Sequence, residues 1–453
     1  MAQLIDVVAT WVFTYLVVPF LLISGLFLTV RFGFIQIRRL PEAFRAMLAR
    51  QAPGAGGALT PFQAFMTALG ASVGTGNIAG VATAIISGGP GALFWIWVYG
   101  FLATAIKFSE AVLGIKFRQT SGTTILSGPM YYLRDGLKSP ALAWTYALVA
   151  GVAALTTTPF TQPNSIALAV NAVFGVPRWA VGVAVAVLVW LVIIGGIKTI
   201  GRAAEVLAPL KIGLYLVGGL IVIITFSSRI PAVLSMVVSE ALTMRSAMGF
   251  GLFIAMRYGI ARGIYANEAG YGTAAVAYGT AKSTNPSQQG LQAVMEVFIV
   301  AFVTSTISAL TILVSGVAEQ SIAARQAGGA FVTSTAAVAG AFNAAVPTFG
   351  GWVVAFCVFL FGYTTLTGWA YYGEQFLEYI LGRKVTLPYR WIYCLLIPFG
   401  AVVKPEAVWA WGDLMNALQV FPNVIGLVGL SGVVAKYAFV GRQGGLKPAP
   451  TSD

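Results

Sequence analysis

The chain has 453 residues, of which 58% are hydrophobic and only 9% are charged, and its mean hydropathy is +0.85. Soluble globular proteins carry about 25% charged residues, so this composition indicates an integral membrane protein. The net charge is +13, but the basic residues are scattered, which argues against a nucleic-acid partner. The lack of histidine and the presence of only two cysteines, in separate apolar runs, exclude a disulfide framework and a histidine-based metal centre.

Charge-free apolar runs predict about eleven membrane-spanning helices, because about 20 apolar residues are needed to cross the hydrocarbon core. The first, at 8–30, is too long for a cleaved signal segment. The others are predicted at 62–87, 91–115, 143–172, 179–197, 207–227, 233–262, 289–316, 349–373, 391–403 and 409–435. The seventh is irregular, since it carries several charges and is interrupted by Gly249-Phe250-Gly251.

The basic residues predict the orientation. The segment after the first span holds five arginines, and if it is cytoplasmic, most of the 27 Lys and Arg residues lie inside or at inner helix ends. This asymmetry is what the positive-inside rule requires of a protein in the cell membrane. We therefore expect an extracellular N-terminus and a cytoplasmic tail at 436–453.

A short motif, N-x-A-G-x-x-T, occurs twice, at Asn77–Thr83 and at Asn267–Thr273. The copies are separated by an odd number of predicted spans, which reverses the direction of the chain across the membrane. We therefore predict a single transmembrane domain with one inverted repeat at 62–227 and another at 233–435, and a peripheral helix at 8–30. Chance recurrence of common residues is the alternative.

The first copy begins inside a polar, glycine-rich stretch at the middle of the second predicted span. Gly74, Gly76 and Gly80 lower the cost of unwinding, while Thr75 and Asn77 supply polar groups. An unwound segment offers N–H groups to a carboxylate and carbonyl oxygens to a small cation. The alternative is a packing face of small residues, which accounts for the glycines but not for the asparagine.

Six motifs in order, GTGNIAGVATAI, GGPGALFW, SGPMYYL, GGIKTIG, RYGIARGIYANEAGYGTA and TTLTGWAYYGE, resemble the alanine or glycine:cation symporter family over nearly the whole chain. The resemblance implies an all-α polytopic membrane protein with a leucine-transporter-like core of five plus five inverted helices, some discontinuous, and one extra N-terminal helix. It further implies uptake of alanine or glycine by alternating access, with Na⁺ as the coupling ion. A proton-coupled symporter, or an exchanger of another small zwitterionic solute, is the alternative. The oligomeric state is left open, and a monomer is compatible.

The family resemblance also implies a substrate site at the first break, formed by Gly74, Thr75, Gly76 and Asn77. The N–H groups there would hold the substrate carboxylate. The implied sodium ligands are the carbonyls of Gly70, Val73 and Phe361 and the hydroxyls of Thr364 and Thr365.

Three further side chains are candidates for the substrate pocket. Trp369 is expected to wall the pocket and limit substrate size, although tryptophan is also a common interface anchor. Gln162 and Asn164 are candidates for hydrogen bonds to substrate, and hydrogen bonding between helices is an equally good interpretation of both.

Carboxylates in the spans bear on the choice between sodium and protons. Glu110 is expected to pair with Lys107, three residues away, and Glu296 lies near the inner end of the eighth span. We expect neither carboxylate to lie beside the broken helix, which favours sodium. An enzyme is not indicated, since no catalytic constellation is evident, and a channel would need rings of pore-lining polar residues.

Overall fold

The computed structural model describes residues 2–48, 56–121, 124–244 and 251–439. Within these ranges the protein is helical, apart from one antiparallel pair of short strands, β1 (Gln119–Ser121) and β2 (Thr124–Leu126), and one isolated bridge. Large apolar side chains such as Ile23, Leu191 and Phe399 are exposed on its outer surface, as expected for contact with lipid. The predicted all-α polytopic class is confirmed.

The N-terminal segment contains the predicted peripheral helix. An apolar span of 25 residues, Val7–Arg31, includes a π-helical turn at Phe13–Val17. The helices of this segment are α1 (Ala2–Val12), α2 (Val18–Arg31), α3 (Ile35–Arg38) and α4 (Leu40–Ala46).

The next helices up to residue 225 contain the first copy of the repeated motif. They are α5 (Pro61–Ser72), α6 (Ala79–Gly88), α7 (Ala92–Lys116), α8 (Pro129–Tyr131), α9 (Pro140–Thr156), α10 (Thr158–Phe174), α11 (Arg178–Ile193) and α12 (Gly196–Thr225). Helix α5 begins with a capping box, in which Thr60 Oγ1 accepts from Gln63 N and Gln63 Oε1 accepts from Thr60 N, both at 3.1 Å.

The remaining helices contain the second copy. They are α13 (Ile230–Leu242), α14 (Leu252–Asn267), α15 (Thr273–Gly279), α16 (Pro286–Val297), α17 (Ser305–Val314), α18 (Val317–Gln326), α19 (Ser334–Ala345), α20 (Phe349–Leu381), α21 (Thr386–Val402), α22 (Pro405–Gly429) and α23 (Ser431–Ala438). A π-helical turn at Phe298–Thr304 joins α16 to α17.

Seven helices of the described residues are long and apolar enough to cross a membrane, and two further pairs, α5 with α6 and α22 with α23, qualify as bent spans. The other two predicted spans fall on α11, which is short, and on α13 and α14. Each predicted span thus coincides with helical structure, while the total of about eleven crossings stays a prediction.

The predicted bounds of the seventh span, 233–262, are wrong. Helix α13 ends at Leu242 and α14 begins at Leu252, so two helices share that range. The predicted interruption at Gly249-Phe250 lies outside the described residues, as do Arg245 and the tail beyond residue 439. The described break comes later, at 268–272, between α14 and α15.

Candidate functional site

The first helix break lies within the opening glycine-rich stretch. Helices α5 and α6, with a 3₁₀ turn at Thr75–Asn77 between them, are bent by 59°. A Cβ atom at Gly74 would lie 2.7 Å from Thr365 Oγ1, and one at Gly76 would lie 2.7 Å from the ring of Tyr265. Close approach of neighbouring side chains therefore requires glycine at both positions.

The second helix break separates α14 from α15. Glu268, Gly270 and Gly272 all have positive φ values, of 52°, 95° and 85°, so the chain cannot continue as a helix here. The freed N–H groups of Gly270 and Gly272 donate to Glu110 Oε1 at 2.9 and 3.1 Å. Asn423 Nδ2 donates to the same oxygen at 2.9 Å. Glu110 therefore satisfies the backbone of this break.

A buried ion pair lies beside the first break. Lys107 Nζ is 2.8 Å from Glu296 Oε1 and 3.3 Å from Ser72 Oγ, which itself donates to Glu296. Tyr278 donates its hydroxyl to Glu296 Oε2 at 2.9 Å. The predicted pairing of Lys107 with Glu110 is wrong, because α16 brings Glu296 against α7.

The prediction that neither carboxylate lies beside the broken helix is wrong for Glu296. Glu296 contacts Ser72 at the end of α5, and Glu110 contacts the break after α14. Both carboxylates are fully buried. Each break is thus held by a carboxylate from a different helix, α16 for the first and α7 for the second.

One small cavity is lined by residues of both breaks. Its volume is about 10 Å³, which suffices for roughly one water molecule. An amino acid therefore requires some of the lining side chains to move. The lining residues are Ala71, Ser72, Gly74, Gly76, Thr157, Thr158, Gln162, Tyr265, Glu268, Tyr271, Thr365, Trp369 and Asn416.

Glu268 is a functional candidate that sequence reasoning missed. Its carboxylate is 5% exposed and accepts from Trp369 Nε1 at 2.6 Å and from Thr273 Oγ1 at 3.0 Å. No Lys or Arg of the described residues lies within ion-pair distance of it. Its position inside the second copy of the repeated motif was the available signal. It presents an anionic, hydrogen-bonded group to the cavity.

Gln162 and Trp369, two candidates for the substrate pocket, both line the cavity. Gln162 lines the cavity and accepts from Thr75 N at 3.1 Å and from Thr75 Oγ1 at 3.0 Å. The N–H group expected to hold a substrate carboxylate thus has a side-chain partner here. Trp369 walls the cavity, with its ring centroid 6.5 Å from that of Tyr271.

Asn77 and Asn164 do not line the cavity. Asn77 spans the first break, since its Nδ2 donates to Ser72 O at 3.1 Å and its Oδ1 accepts from Thr304 Oγ1 at 3.4 Å. Asn164 Nδ2 donates to Gly400 O at 2.9 Å and to Val403 O at 2.8 Å. Asn164 thus makes the contacts of the interhelical interpretation, because α10 turns it towards the end of α21.

The oxygen atoms predicted to ligate sodium surround a lysine side chain. Lys211, in the middle of α12, donates its Nζ to Gly70 O at 2.9 Å, to Val73 O at 2.5 Å and to Thr364 Oγ1 at 2.5 Å. Lys211 was not identified from the sequence, because a charged residue in an apolar run does not show which way its side chain faces.

Phe361 and Thr365, the other two predicted sodium ligands, are not among the three hydrogen-bond acceptors of Lys211. Phe361 turns its ring towards Lys211, with Nζ 5.1 Å from the centroid, while its carbonyl lies 3.2 Å from Thr364 Oγ1. Thr365 Oγ1 donates to Ala71 O at 2.8 Å and lines the cavity.

The buried charges around the two breaks do not cancel. Two ammonium groups, Lys107 and Lys211, and three carboxylates, Glu110, Glu268 and Glu296, are each at most 5% exposed. As ionised groups they leave one uncompensated negative charge. Because an isolated buried charge is costly, one bound monovalent cation or one proton on a carboxylate would balance it.

Comparisons with known proteins agree with this architecture. A model described as the Sodium:alanine symporter family matches residues 1–439. The sodium/alanine symporter AgcS of Methanococcus maripaludis is 36% identical over 438 residues, with 95% of each chain covered. The probable sodium/glutamine symporter GlnT of Bacillus subtilis is 32% identical, with 92% of this chain and 86% of that protein covered.

Among solved structures, MhsT in complex with L-phenylalanine has a TM-score of 0.54 at 14% identity, covering 85% of this chain and 100% of that one. At this level of identity the similarity concerns the fold alone.

Proposed function

Because this chain belongs to the sodium:alanine symporter family, we propose that it carries a small neutral amino acid, alanine or glycine, across the cell membrane together with sodium. As a family member it is a multi-pass membrane transporter and not an enzyme. The proposal concerns the substrate, the coupling ion and the residues that bind them.

The observation that carries the substrate proposal is the carboxylate of Glu268, buried in a cavity between two broken helices without a cationic partner among the described residues. A zwitterion brings an ammonium group that fits this carboxylate. Each oxygen of Glu268 accepts one hydrogen bond from the protein and keeps a lone pair for the ligand. The substrate ammonium then forms a charge-assisted bond in a dry site.

The substrate carboxylate is assigned to the first break. Gly74 and Gly76 line the cavity, and between them Thr75 N is held by the amide oxygen of Gln162. A carboxylate is a stronger acceptor than an amide oxygen, so it replaces Gln162 when the pocket opens. Rotation of Gln162 also supplies part of the space that an amino acid needs.

Trp369 and Tyr271 set the proposed size limit. Both line the cavity, and Trp369 is fixed by its bond to Glu268. A rigid aromatic wall resists overpacking, which favours alanine and glycine over branched or aromatic amino acids. The name of the relative GlnT makes glutamine the most informative larger competitor.

Sodium coupling is supported by the uncompensated charge of the interior. A zwitterionic amino acid adds no net charge, so one Na⁺ entering with it neutralises the excess carboxylate. Sodium is therefore treated as a second, co-transported substrate. Binding of each then favours binding of the other, since the coupling free energy is reciprocal.

Counterflow of labelled alanine in proteoliposomes tests the substrate proposal. Unlabelled alanine and glycine are expected to compete fully, while leucine and phenylalanine compete weakly. Leucine that competes as well as alanine would contradict the proposed pocket. Exchange of none of these amino acids would contradict the proposed function itself.

A further inference from the structure

Lys211 forms a complete set of hydrogen bonds inside the protein. An ammonium group has three N–H donors, and the structure gives Lys211 three oxygen acceptors, at 2.5 to 2.9 Å. The side chain is 0% exposed, and the ring of Phe361 covers it at 5.1 Å. Nothing in this arrangement leaves a donor of Lys211 for another partner.

The acceptors are suited to a cation for local reasons. Gly70 and Val73 lie at and just beyond the last turn of α5, where carbonyls lose their helical partners and the helix dipole is negative. Thr364 Oγ1 approaches from α20, and it accepts from Lys211 while its hydroxyl lies 2.9 Å from Gly70 O. These are the atoms that the family resemblance assigns to sodium.

A sodium ion does not fit among these atoms while Lys211 holds them. Displacing the ammonium would leave a positive charge buried without partners, which is strongly unfavourable. The same three contacts also join α12 to both α5 and α20 through one side chain. The ammonium group of Lys211 is therefore chemically equivalent to a bound cation, and the chain itself supplies it.

We propose that the ammonium group of Lys211 is a tethered cation that replaces sodium at this site, so that the sodium carried with the substrate binds outside these oxygen atoms. The position of the carried sodium rests on the proposed function. The tethered cation keeps the end of α5 against α12 and α20 without any ion from solution. Lys211 acts here as a positioning residue and does not contact the substrate.

The first test measures how the binding of labelled alanine to the purified full-length protein depends on sodium. Thr364→Val removes one acceptor of Lys211 and keeps the side-chain size. It is expected to lower the midpoint of thermal unfolding but to leave the half-saturating sodium concentration within about twofold of wild type, because no sodium ligand is lost. Thr311→Val, at another buried threonine, controls for the general effect of the substitution.

A rise of tenfold or more in half-saturating sodium for Thr364→Val, with alanine affinity restored at saturating sodium, would overturn the proposal.

Lys211→Met is expected to weaken alanine binding by about tenfold or more at every sodium concentration, since a charge-assisted contact is lost. Alanine affinity in Lys211→Met that stays within about twofold of wild type would also overturn the proposal. Lys116→Met, at an exposed lysine, is the matched control.

A second experiment measures thermal unfolding and needs no substrate. Lys211→Ala leaves the three oxygen atoms without a cation, so sodium chloride should raise the unfolding midpoint of this variant more than choline chloride does, and by several degrees more than in wild type. Equal sodium stabilisation of both proteins, or none specific to the variant, contradicts the proposal. If wild-type transport proves indifferent to sodium, the proposed function fails while this comparison still decides the role of Lys211.

Discussion

Glu268 is the residue on which the proposed substrate site most depends. Glu268→Gln removes the charge and keeps the shape of the side chain. We expect the dissociation constant of alanine to rise by about tenfold or more, because a hydrogen bond to a charged group is worth about 1.5–3 kcal/mol. Equilibrium binding of labelled alanine measures this change. Glu319→Gln, at a side chain that is 63% exposed, is the control, and equal affinity in the two variants contradicts the assignment.

Trp369 is the second residue with a direct test. Trp369→Ala removes the wall of the cavity, so glutamine and leucine should compete better with alanine while alanine itself binds more weakly through lost packing. Inhibition constants from counterflow measure both effects. Trp352→Ala removes a half-exposed tryptophan elsewhere on α20 and should change neither. An unchanged order of competitors in Trp369→Ala shows that size is limited by other residues.

Sequence reasoning reached only part of this site. It identified Gly74, Gly76, Gln162, Thr365 and Trp369, all of which line the cavity. Glycine runs and ordered motifs are local signals, and they are visible without the fold.

The missed residues depend on tertiary packing. Lys211 was visible only as a charge near a predicted helix end and Glu268 only as part of the second motif copy, while Asn164 could face either the pocket or a neighbouring helix. Which way each points is decided by α5 and α20 packing against α12, and by α10 packing against α21. Hydropathy along the chain carries no information about such contacts.

At the scale of single elements, the two breaks differ in how they are supported. The first is stabilised by side chains within and beside it, including Asn77 and the Lys107–Glu296 pair. The second is held by Glu110, which accepts from two backbone N–H groups and from Asn423. A buried donor without an acceptor is costly, so the carboxylate stabilises the unwound chain.

Glu110→Ala tests this support of the second break. We expect it to destabilise the protein by about 3 kcal/mol or more, since three buried donors lose their acceptor at about 1–3 kcal/mol each. Glu110→Gln keeps an acceptor oxygen and should retain most of the stability. The unfolding midpoint in detergent measures both variants. Equal destabilisation by Ala and Gln would show that charge, and not acceptance of these hydrogen bonds, is what matters.

The elements themselves were largely predictable, with one failure. Apolar runs of about 20 residues locate spans well because the bilayer fixes their length. The seventh span was predicted as one element at 233–262, whereas α13 and α14 share that range and the described break follows at 268–272. This break requires left-handed backbone at Glu268 as well as at two glycines. A glutamate in that conformation has no sequence signature, since glutamate is common in regular helices.

At the scale of the whole molecule, the basic residues predict an extracellular N-terminus and a cytoplasmic C-terminus. Single cysteines at Ala2 and Ser452 test this with an impermeant thiol reagent on intact cells. The native Cys357 and Cys394 are buried, so they give little background. We expect labelling at position 2 alone. Labelling at position 452 in intact cells contradicts the orientation, and labelling at both positions contradicts the odd total of eleven crossings.

The central claim is that sodium drives the uptake of a small neutral amino acid. Moving one charge through 100 mV is worth about 2.3 kcal/mol, equivalent to roughly 50-fold accumulation. The direct measurement is uptake of labelled alanine into proteoliposomes that are negative inside, with sodium or choline outside and with or without an inward proton gradient. The account predicts concentrative uptake with sodium and none with choline, at either pH. Accumulation that follows the proton gradient and ignores sodium would contradict it.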